Sequence, residues 1–254
     1  MIYLTKISIK DIYKISILIL LLGAIYSFTL PSMNLKKQNS NGDEAFPETD
    51  NTTLHLAEHH DPIMLNTNAD LDSFCSLGSG TYGDPYIIED YEIDASVGTG
   101  INITNTDAYL EIRNCTIRNG REDFYYGIYL NSCENVNISN NRCFKNWFGI
   151  YLGSSNNSII TGNNCSNSNL GIYSGSSTNN TISNNNCSYN LMGIYLDTSS
   201  NNIIILENNC SNNQEYGIFL DSSTNNTISY NNCSNNQFGI YLSSSNNSTI
   251  SHNN

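Results

Sequence analysis

Two aspartates have the residue type and spacing needed for acid–base chemistry. Asp197 and Asp221 each follow a copy of a repeated tetrapeptide, Gly-Ile-Tyr-Leu or Gly-Ile-Phe-Leu. If these copies lie on adjacent strands, the carboxylates could sit about 5 Å apart, close to the separation in a retaining glycosidase. A proton shared between them would raise one pKa, as acid catalysis requires. The alternative is that both are ordinary solvated carboxylates among the 23 in the chain.

An aromatic side chain occupies the third position of each tetrapeptide copy. Stacked strands would align these rings in an outward stripe, which could bind a glycan because flat rings stack on sugars. The alternative is that the rings only stabilise the sheet through contacts with their neighbours. The predicted glycan-binding residues are Tyr129, Tyr151, Tyr173, Tyr195, Phe219 and Tyr241.

Two groups of residues have the types that bind metals. One cysteine per repeat could supply thiolates to copper(I) or zinc, but the paired C-x-x-C spacing is missing and core packing is the favoured interpretation. His55, His59 and His60 could bind copper or zinc if their segment turned helical, and otherwise belong to a solvated linker. We therefore predict no cofactor. The recurrent cysteines are Cys143, Cys165, Cys187, Cys210 and Cys233.

A short internal repeat must position all of these side chains. The tetrapeptide begins at six glycines, mostly 22 residues apart with one spacing of 24. An isoleucine follows each glycine after 11 or 12 residues, and a cysteine lies five residues after each of the first five isoleucines. Gly100, Leu110 and Cys115 form an earlier, looser copy, separated from the next by an insertion around Arg121–Tyr126. The six glycines are Gly127, Gly149, Gly171, Gly193, Gly217 and Gly239.

A 22-residue unit rich in β-branched and aromatic residues predicts strands, because it is too short for a helix pair. We predict an all-β fold: a single-stranded, right-handed parallel β-helix with about three short strands per ~22-residue coil. Strict alternation around one tetrapeptide would put Phe148, Ile150 and Leu152 on the core face, with Gly149 and Tyr151 outside.

Asparagine recurs at two positions in each of the last six coils, which predicts structural ladders. Asparagine tolerates the left-handed conformation of sharp turns, and stacked amides can hydrogen-bond from coil to coil. The first series is Asn135, Asn157, Asn179, Asn202, Asn225 and Asn247; the second is Asn141, Asn163, Asn185, Asn208, Asn231 and Asn253.

The remaining sequence divides the chain into four parts. Residues 1–30 contain an uncharged run after three lysines, typical of a signal peptide or an uncleaved signal anchor. Residues 31–62 predict a flexible acidic tether, residues 63–99 an N-terminal cap, and residues 100–254 the coils. The chain stops at Asn254, where the next coil should present its cysteine. Terminal coils normally need a cap and none follows here, so we expect the chain to be a fragment of a longer protein.

Charge and targeting limit the compartment and the partners. The net charge of −13 excludes nucleic acid as a partner. The signal-like segment predicts an extracellular or cell-surface location, with the membrane as a partner if the segment stays uncleaved.

These residues resemble the right-handed parallel β-helix proteins of the carbohydrate-binding and sugar-hydrolase type, with a pectin-lyase-like fold, especially the NosD-like family. The segment Gly78–Ile93 is similar to the G-x-G-T…P-Y-x-I segment that opens the helix in those proteins. The resemblance implies export and a link to polysaccharides or to copper-site maturation. Of the polygalacturonase-like motifs only Asn105-Thr106-Asp107 occurs, and no Lys or Arg lies beyond Lys145 to serve a lyase.

The sequence therefore predicts an exported, membrane-tethered β-helix that binds polysaccharide or cell-surface glycan, or serves as a structural or adhesive module. A polysaccharide hydrolase or lyase and a NosD-like copper-site maturation protein are the two alternatives.

Overall fold

Successive repeats pair side by side as parallel strands. The computed structural model describes residues 57–254, and within this range the strands form three parallel sheets. The short sheet contains β1 (Glu58–His60), β4 (Tyr91–Asp94), β7 (Thr116–Arg118) and β10 (Arg142–Phe144). A helix α1 (Asn68–Phe74) and a 3-10 helix (Ala95–Val97) lie in the first coils.

Two longer sheets complete each coil. The tyrosine sheet contains β2 (Ile63–Leu65), β5 (Ile101–Thr106), β8 (Tyr126–Cys133), β11 (Phe148–Gly153), β13 (Leu170–Gly175), β15 (Met192–Asp197), β17 (Tyr216–Asp221) and β19 (Phe238–Ser243). The isoleucine sheet contains β3 (Tyr86–Glu89), β6 (Leu110–Arg113), β9 (Val136–Ser139), β12 (Ile159–Thr161), β14 (Thr181–Ser183), β16 (Ile204–Leu206), β18 (Thr227–Ser229) and β20 (Thr249–Ser251).

The parallel β-helix predicted from the repeat is confirmed. Each coil passes from the isoleucine sheet to the short sheet and then to the tyrosine sheet, as in β9, β10 and β11. Ile150 pairs with Ile128 in the coil before and Ile172 in the coil after. After β10 the short sheet continues as one parallel bridge per coil, from Arg142–Asn164 onward.

The interior is filled by files of like side chains. Inward-facing isoleucines of both long sheets, such as Ile150 and Ile160, are fully buried. Burying such a side chain contributes roughly 1.5–3 kcal/mol, whereas ordering a 22-residue coil costs at least about 22 kcal/mol of backbone entropy. A coil is therefore stable only when stacked on its neighbours.

The second asparagine series forms a buried ladder between the isoleucine and short sheets. In Asn163, the backbone N–H and the side-chain amide both donate to Oδ1 of Asn185, at 2.9 and 3.0 Å. The same Nδ2 donates to the carbonyl of Ile138, and Asn141 donates to Asn163 in the same way. The pattern continues through Asn208 and ties each corner to the next.

The first asparagine series has a different role, at exposed corners. All six of its members adopt a left-handed backbone, with φ between 53° for Asn157 and 59° for Asn135 and Asn225. Asparagine tolerates this conformation better than most residues, which explains its recurrence.

The strict alternation predicted around the tetrapeptide is wrong for its glycine, Gly149, and for the residue before it, Phe148. Gly149 points inward, because a Cβ there would lie 2.6 Å from the carbonyl oxygen of Gly171 and 2.8 Å from the Cβ of Cys165. Phe148 points outward and packs against the rings of Tyr151 and Tyr173. The glycine recurs because the interior leaves no room for a side chain at this corner.

Cys115 also lies in a different file from the one its spacing predicts. Its backbone N–H donates to Oδ1 of Asn141, so Cys115 stands at the head of the asparagine ladder. Ile117 is the residue paired with Cys143. Because an insertion separates these two coils, spacing alone does not show which residue of the earlier coil aligns with Cys143.

The β-helix begins before the predicted cap. β1 pairs in parallel with β4, although its residues lie in the segment predicted as a flexible tether. The predicted signal or anchor segment lies outside the described residues. Among residues 57–254, no helix has the length and apolar character needed to cross a membrane.

Candidate functional site

The predicted aromatic residues form one file along the outer face of the tyrosine sheet. Parallel pairing places Tyr151 between Tyr129 and Tyr173, and the neighbouring ring centroids lie 4.8 Å apart in near-parallel stacks. Tyr195 and Phe219 stack in the same manner, also at 4.8 Å. The ring faces are therefore largely covered by neighbouring rings, and edges and hydroxyl groups point outward.

A second aromatic file runs beside the first, and strict alternation did not reveal it. Its rings come from the residue just before the tetrapeptide glycine, the position predicted to face the core. Tyr126 stacks on Phe148 at 5.1 Å, and Tyr216 stacks on Phe238 at 5.2 Å. The signal was present in the sequence as an aromatic residue preceding glycine in four coils. The members of the second file are Tyr126, Phe148, Tyr216 and Phe238.

The first file is interrupted between Tyr173 and Tyr195. Their rings meet edge to face, with centroids 5.5 Å apart and planes at 79°. The interruption coincides with a change from glycine to aspartate two residues after the tyrosine. The Tyr173 ring leans over Gly175, where a Cβ would lie 2.6 Å from its hydroxyl oxygen, and Asp197 pairs with Gly175 in the next coil.

The predicted acid–base residue Asp197 is held in a hydrogen-bond network. Its Oδ2 accepts a hydrogen bond of 2.9 Å from the Tyr173 hydroxyl, and its Oδ1 accepts one of 2.8 Å from Thr198. Burial and then the Asp197 charge raise the pKa of Tyr173. Burial and the neighbouring Tyr129 raise the pKa of Tyr151 to about 12. Both hydroxyls therefore stay protonated near neutral pH and can donate hydrogen bonds.

Asp221, the other half of the predicted pair, lies in the next coil. The register between β15 and β17 runs from Met192–Tyr216 to Leu196–Leu220 and does not extend to the two aspartates. Two left-handed residues, Thr198 and Ser199, follow Asp197 where the repeat lengthens. Asp221 accepts a hydrogen bond of 3.3 Å from Ser222. The shared-proton pair stays a prediction of the sequence.

The Asn105-Thr106-Asp107 motif holds helix α1 in place. Asn68, in α1, donates to Oδ1 of Asp107 at 2.7 Å and accepts from the Thr106 hydroxyl at 2.5 Å. Asn105 occupies a left-handed corner. These contacts explain the motif as structure.

The recurrent cysteines form a buried file. All eight cysteines lie in the described part of the chain and are free thiols. Burial raises the pKa values of Cys165, Cys187 and Cys210 well above the usual range, and each thiol has a hydrogen-bonding thiol in the adjacent coil. Such thiols are poor sources of thiolate.

The histidines are separated by the strand that carries them. His59 is exposed and donates through Nδ1 to the carbonyl of Glu92, whereas the His60 ring packs against Phe74 and Tyr91. Alternation along β1 sends the two side chains to opposite faces. His55 lies outside the described residues, and from residue 57 onward no cluster of three metal-binding side chains occurs.

The architecture and the outer aromatic face define a parallel β-helix protein with a pectin-lyase-like fold. A family model described as "Periplasmic copper-binding protein (NosD)" matches residues 78–254, and the chain belongs to this family. No curated protein matches the chain.

Several solved structures share the fold. A double mutant of the periplasmic alginate epimerase AlgG matches with a TM-score of 0.60 and 22% identity, over 66% of this chain and 44% of that one. An alginate lyase from Paenibacillus sp. matches with a TM-score of 0.56 and 13% identity, over 76% and 75% of the two chains. Endopolygalacturonase I from Stereum purpureum gives 0.52 and 15%, over 76% and 81%. The present chain thus spans less than half the length of the epimerase.

The described residues do not fit a copper site of the kind the family description suggests. Among the described residues, the recurrent soft ligands are free thiols that are buried in the core, protonated and hydrogen-bonded to one another. Copper(I) requires thiolate, thioether or imidazole groups that converge on one point. A file with one thiol per coil does not converge.

The hydrogen bond between Tyr173 and Asp197 predicts a titration effect. In Asp197→Asn the negative charge is lost, so ionisation of Tyr173 is less disfavoured and its pKa falls. Absorbance measured as a function of alkaline pH should show one tyrosine with a lower pKa than in the parent. The shift should vanish when Tyr173→Phe is added, and Glu207→Gln, at an exposed corner, should leave the curve unchanged. Identical curves for Asp197→Asn and the parent would contradict this account.

Proposed function

We propose that this chain is an exported polysaccharide-binding protein whose contact surface is the outer face of the tyrosine sheet. The observation that carries the proposal is the double file of aromatic rings along this face. A polymer lying parallel to the axis would meet one ring of the first file in each coil from β8 to β19, with a spacing of about 4.8 Å. Repetition of weak contacts is an effective way to bind a repeating ligand.

The ring geometry specifies how such a polymer would be held. Because neighbouring rings cover each other's faces, contact would come from ring edges and from hydroxyls that donate to sugar oxygens. The protonated hydroxyl of Tyr151 is suited to this role. The Tyr173 hydroxyl already donates to Asp197 and can instead accept a hydrogen bond from a sugar hydroxyl.

Export and membrane attachment form the second part of the proposal. The lysines and uncharged run of residues 1–30 support it, as does the periplasmic description of the family. We expect the full-length protein to sediment with membranes and a chain lacking residues 1–30 to stay in the soluble fraction. Soluble full-length protein that retains its N-terminus would contradict the tether.

The glycan surface is tested by removing rings from the centre of the first file. The double variant Tyr151→Ala/Tyr173→Ala should weaken binding to a polysaccharide recognised by the parent by at least about tenfold, which corresponds to roughly 1.4 kcal/mol. Binding would be measured by calorimetry after screening soluble neutral and acidic polysaccharides. Far-ultraviolet circular dichroism would confirm that the variant keeps its β-helix.

The matched control is Tyr189→Ala, which removes a ring that is 62% exposed but lies at a corner outside both files. It should bind like the parent. If the double variant also binds like the parent but melts at a lower temperature, the rings only stabilise the sheet and the proposed surface is wrong.

A further inference from the structure

One coil departs from the asparagine- and serine-rich repeat at its outward positions. Later coils read Asn-Cys-Ser along the short-sheet side, whereas this coil reads Arg142-Cys143-Phe144 and continues with Lys145. Arg142 pairs in register with Asn164, and Lys145 has the same left-handed backbone as Asn167 one repeat later. Since later coils fold with asparagine and serine here, the helix does not require the cations or the phenylalanine.

The insertion in the preceding coil brings further groups to the same corner. The backbone N–H of Arg121 donates to the carbonyl of Lys145 at 3.1 Å. Phe124, 44% exposed, packs edge to face on Trp147 with centroids 4.5 Å apart. We name the group Arg121, Phe124, Arg142, Phe144, Lys145 and Trp147 the basic corner.

The basic corner concentrates positive charge that is not neutralised internally. In the part of the chain that the structure describes, every Lys and Arg lies within residues 113–145. The ion pairs found there use Arg113 with Glu89 and Glu111, and Arg118 with Glu92. Arg142 and Lys145 instead lie near the Phe144 ring, 5.5 and 5.9 Å from its centroid.

Other charged groups near the basic corner are few. Glu122 and Asp123 lie in the insertion itself and are exposed, and no ion pair joins either to the three cations among residues 57–254. The register neighbours of Arg142 are Thr116 and Asn164, both uncharged. The cations are therefore available to an external anion.

The basic corner is continuous with the aromatic files. Trp147 contacts Phe148 edge to face at 6.3 Å, and Phe148 in turn contacts Tyr151 at 5.7 Å. A polymer held on the tyrosine sheet can thus reach the cations without leaving the surface. Exposed rings beside cations suit a ligand with both sugar rings and negative charge.

We propose that the basic corner binds the carboxylate groups of an acidic polysaccharide, so that the ligand of the tyrosine sheet is a polyuronate. This inference rests on the proposed function and adds its ligand class. Arg142 and Lys145 supply the charge, and Phe124 and Trp147 supply apolar contact with the sugar ring. Because all three cations are exposed, binding weakens as salt screens the charges, over a length of about 10 Å at 0.1 M.

The test uses the variant Arg142→Asn/Lys145→Asn, which gives this coil the residues found one repeat later. Binding of polygalacturonate and polymannuronate would be measured beside neutral dextran and dextran sulfate, each at low and high salt. We expect the variant to bind the polyuronates at least tenfold more weakly and to lose most of the salt dependence. Arg118→Gln, which removes a cation already paired with Glu92, should change polyuronate binding less than threefold.

The outcomes separate this inference from the proposed function. If the variant binds polyuronates like the parent while Tyr151→Ala/Tyr173→Ala does not, the basic corner is not a binding site and the glycan surface stands. If the parent binds dextran sulfate but neither polyuronate, the assignment to carboxylates is wrong. If the parent binds none of these polymers and no other glycan, the proposed function fails and this inference with it.

Discussion

The structure depends on each coil forming its hydrogen bonds with the coils before and after it. A 22-residue coil cannot bury enough apolar surface to offset its own ordering, so almost all of its backbone pairing is external. The asparagine ladder extends this pairing to the corner between the isoleucine and short sheets. There Asn163 bonds to both neighbouring coils through its side chain. Buried amides would be costly if unpaired, and here they are satisfied by repetition.

Stacking in register also determines where function can be located. Inward positions are constrained by the coils on either side, as at Gly149, where a side chain would collide with the next coil. Outward positions carry no such constraint. A departure from the repeat on the outer surface, such as Arg142 or Asp197, is therefore not required by the stacking of the coils.

The sequence predicted the parallel β-helix, its coil length, and the vertical files of Ile150 and Tyr151, because a 22-residue period leaves little choice of architecture. It did not predict that Phe148 faces outward, since alternation fails where Gly149 turns the corner. It misplaced Cys115 because an insertion shifts the spacing. The basic corner was visible only as isolated cations in the sequence, and the fold was needed to bring Phe124 and Trp147 together.

The most direct test of stacking in register is a series of distances along one file of exposed corners. Spin labels would be attached at Asn135→Cys together with Asn202→Cys, Asn225→Cys or Asn247→Cys, in a chain with Cys75→Ser because Cys75 is only partly buried. Pulsed electron resonance should give backbone separations of about 14, 19 and 24 Å, increasing by one strand spacing of about 4.8 Å per coil. Separations that do not increase evenly from pair to pair would contradict the account.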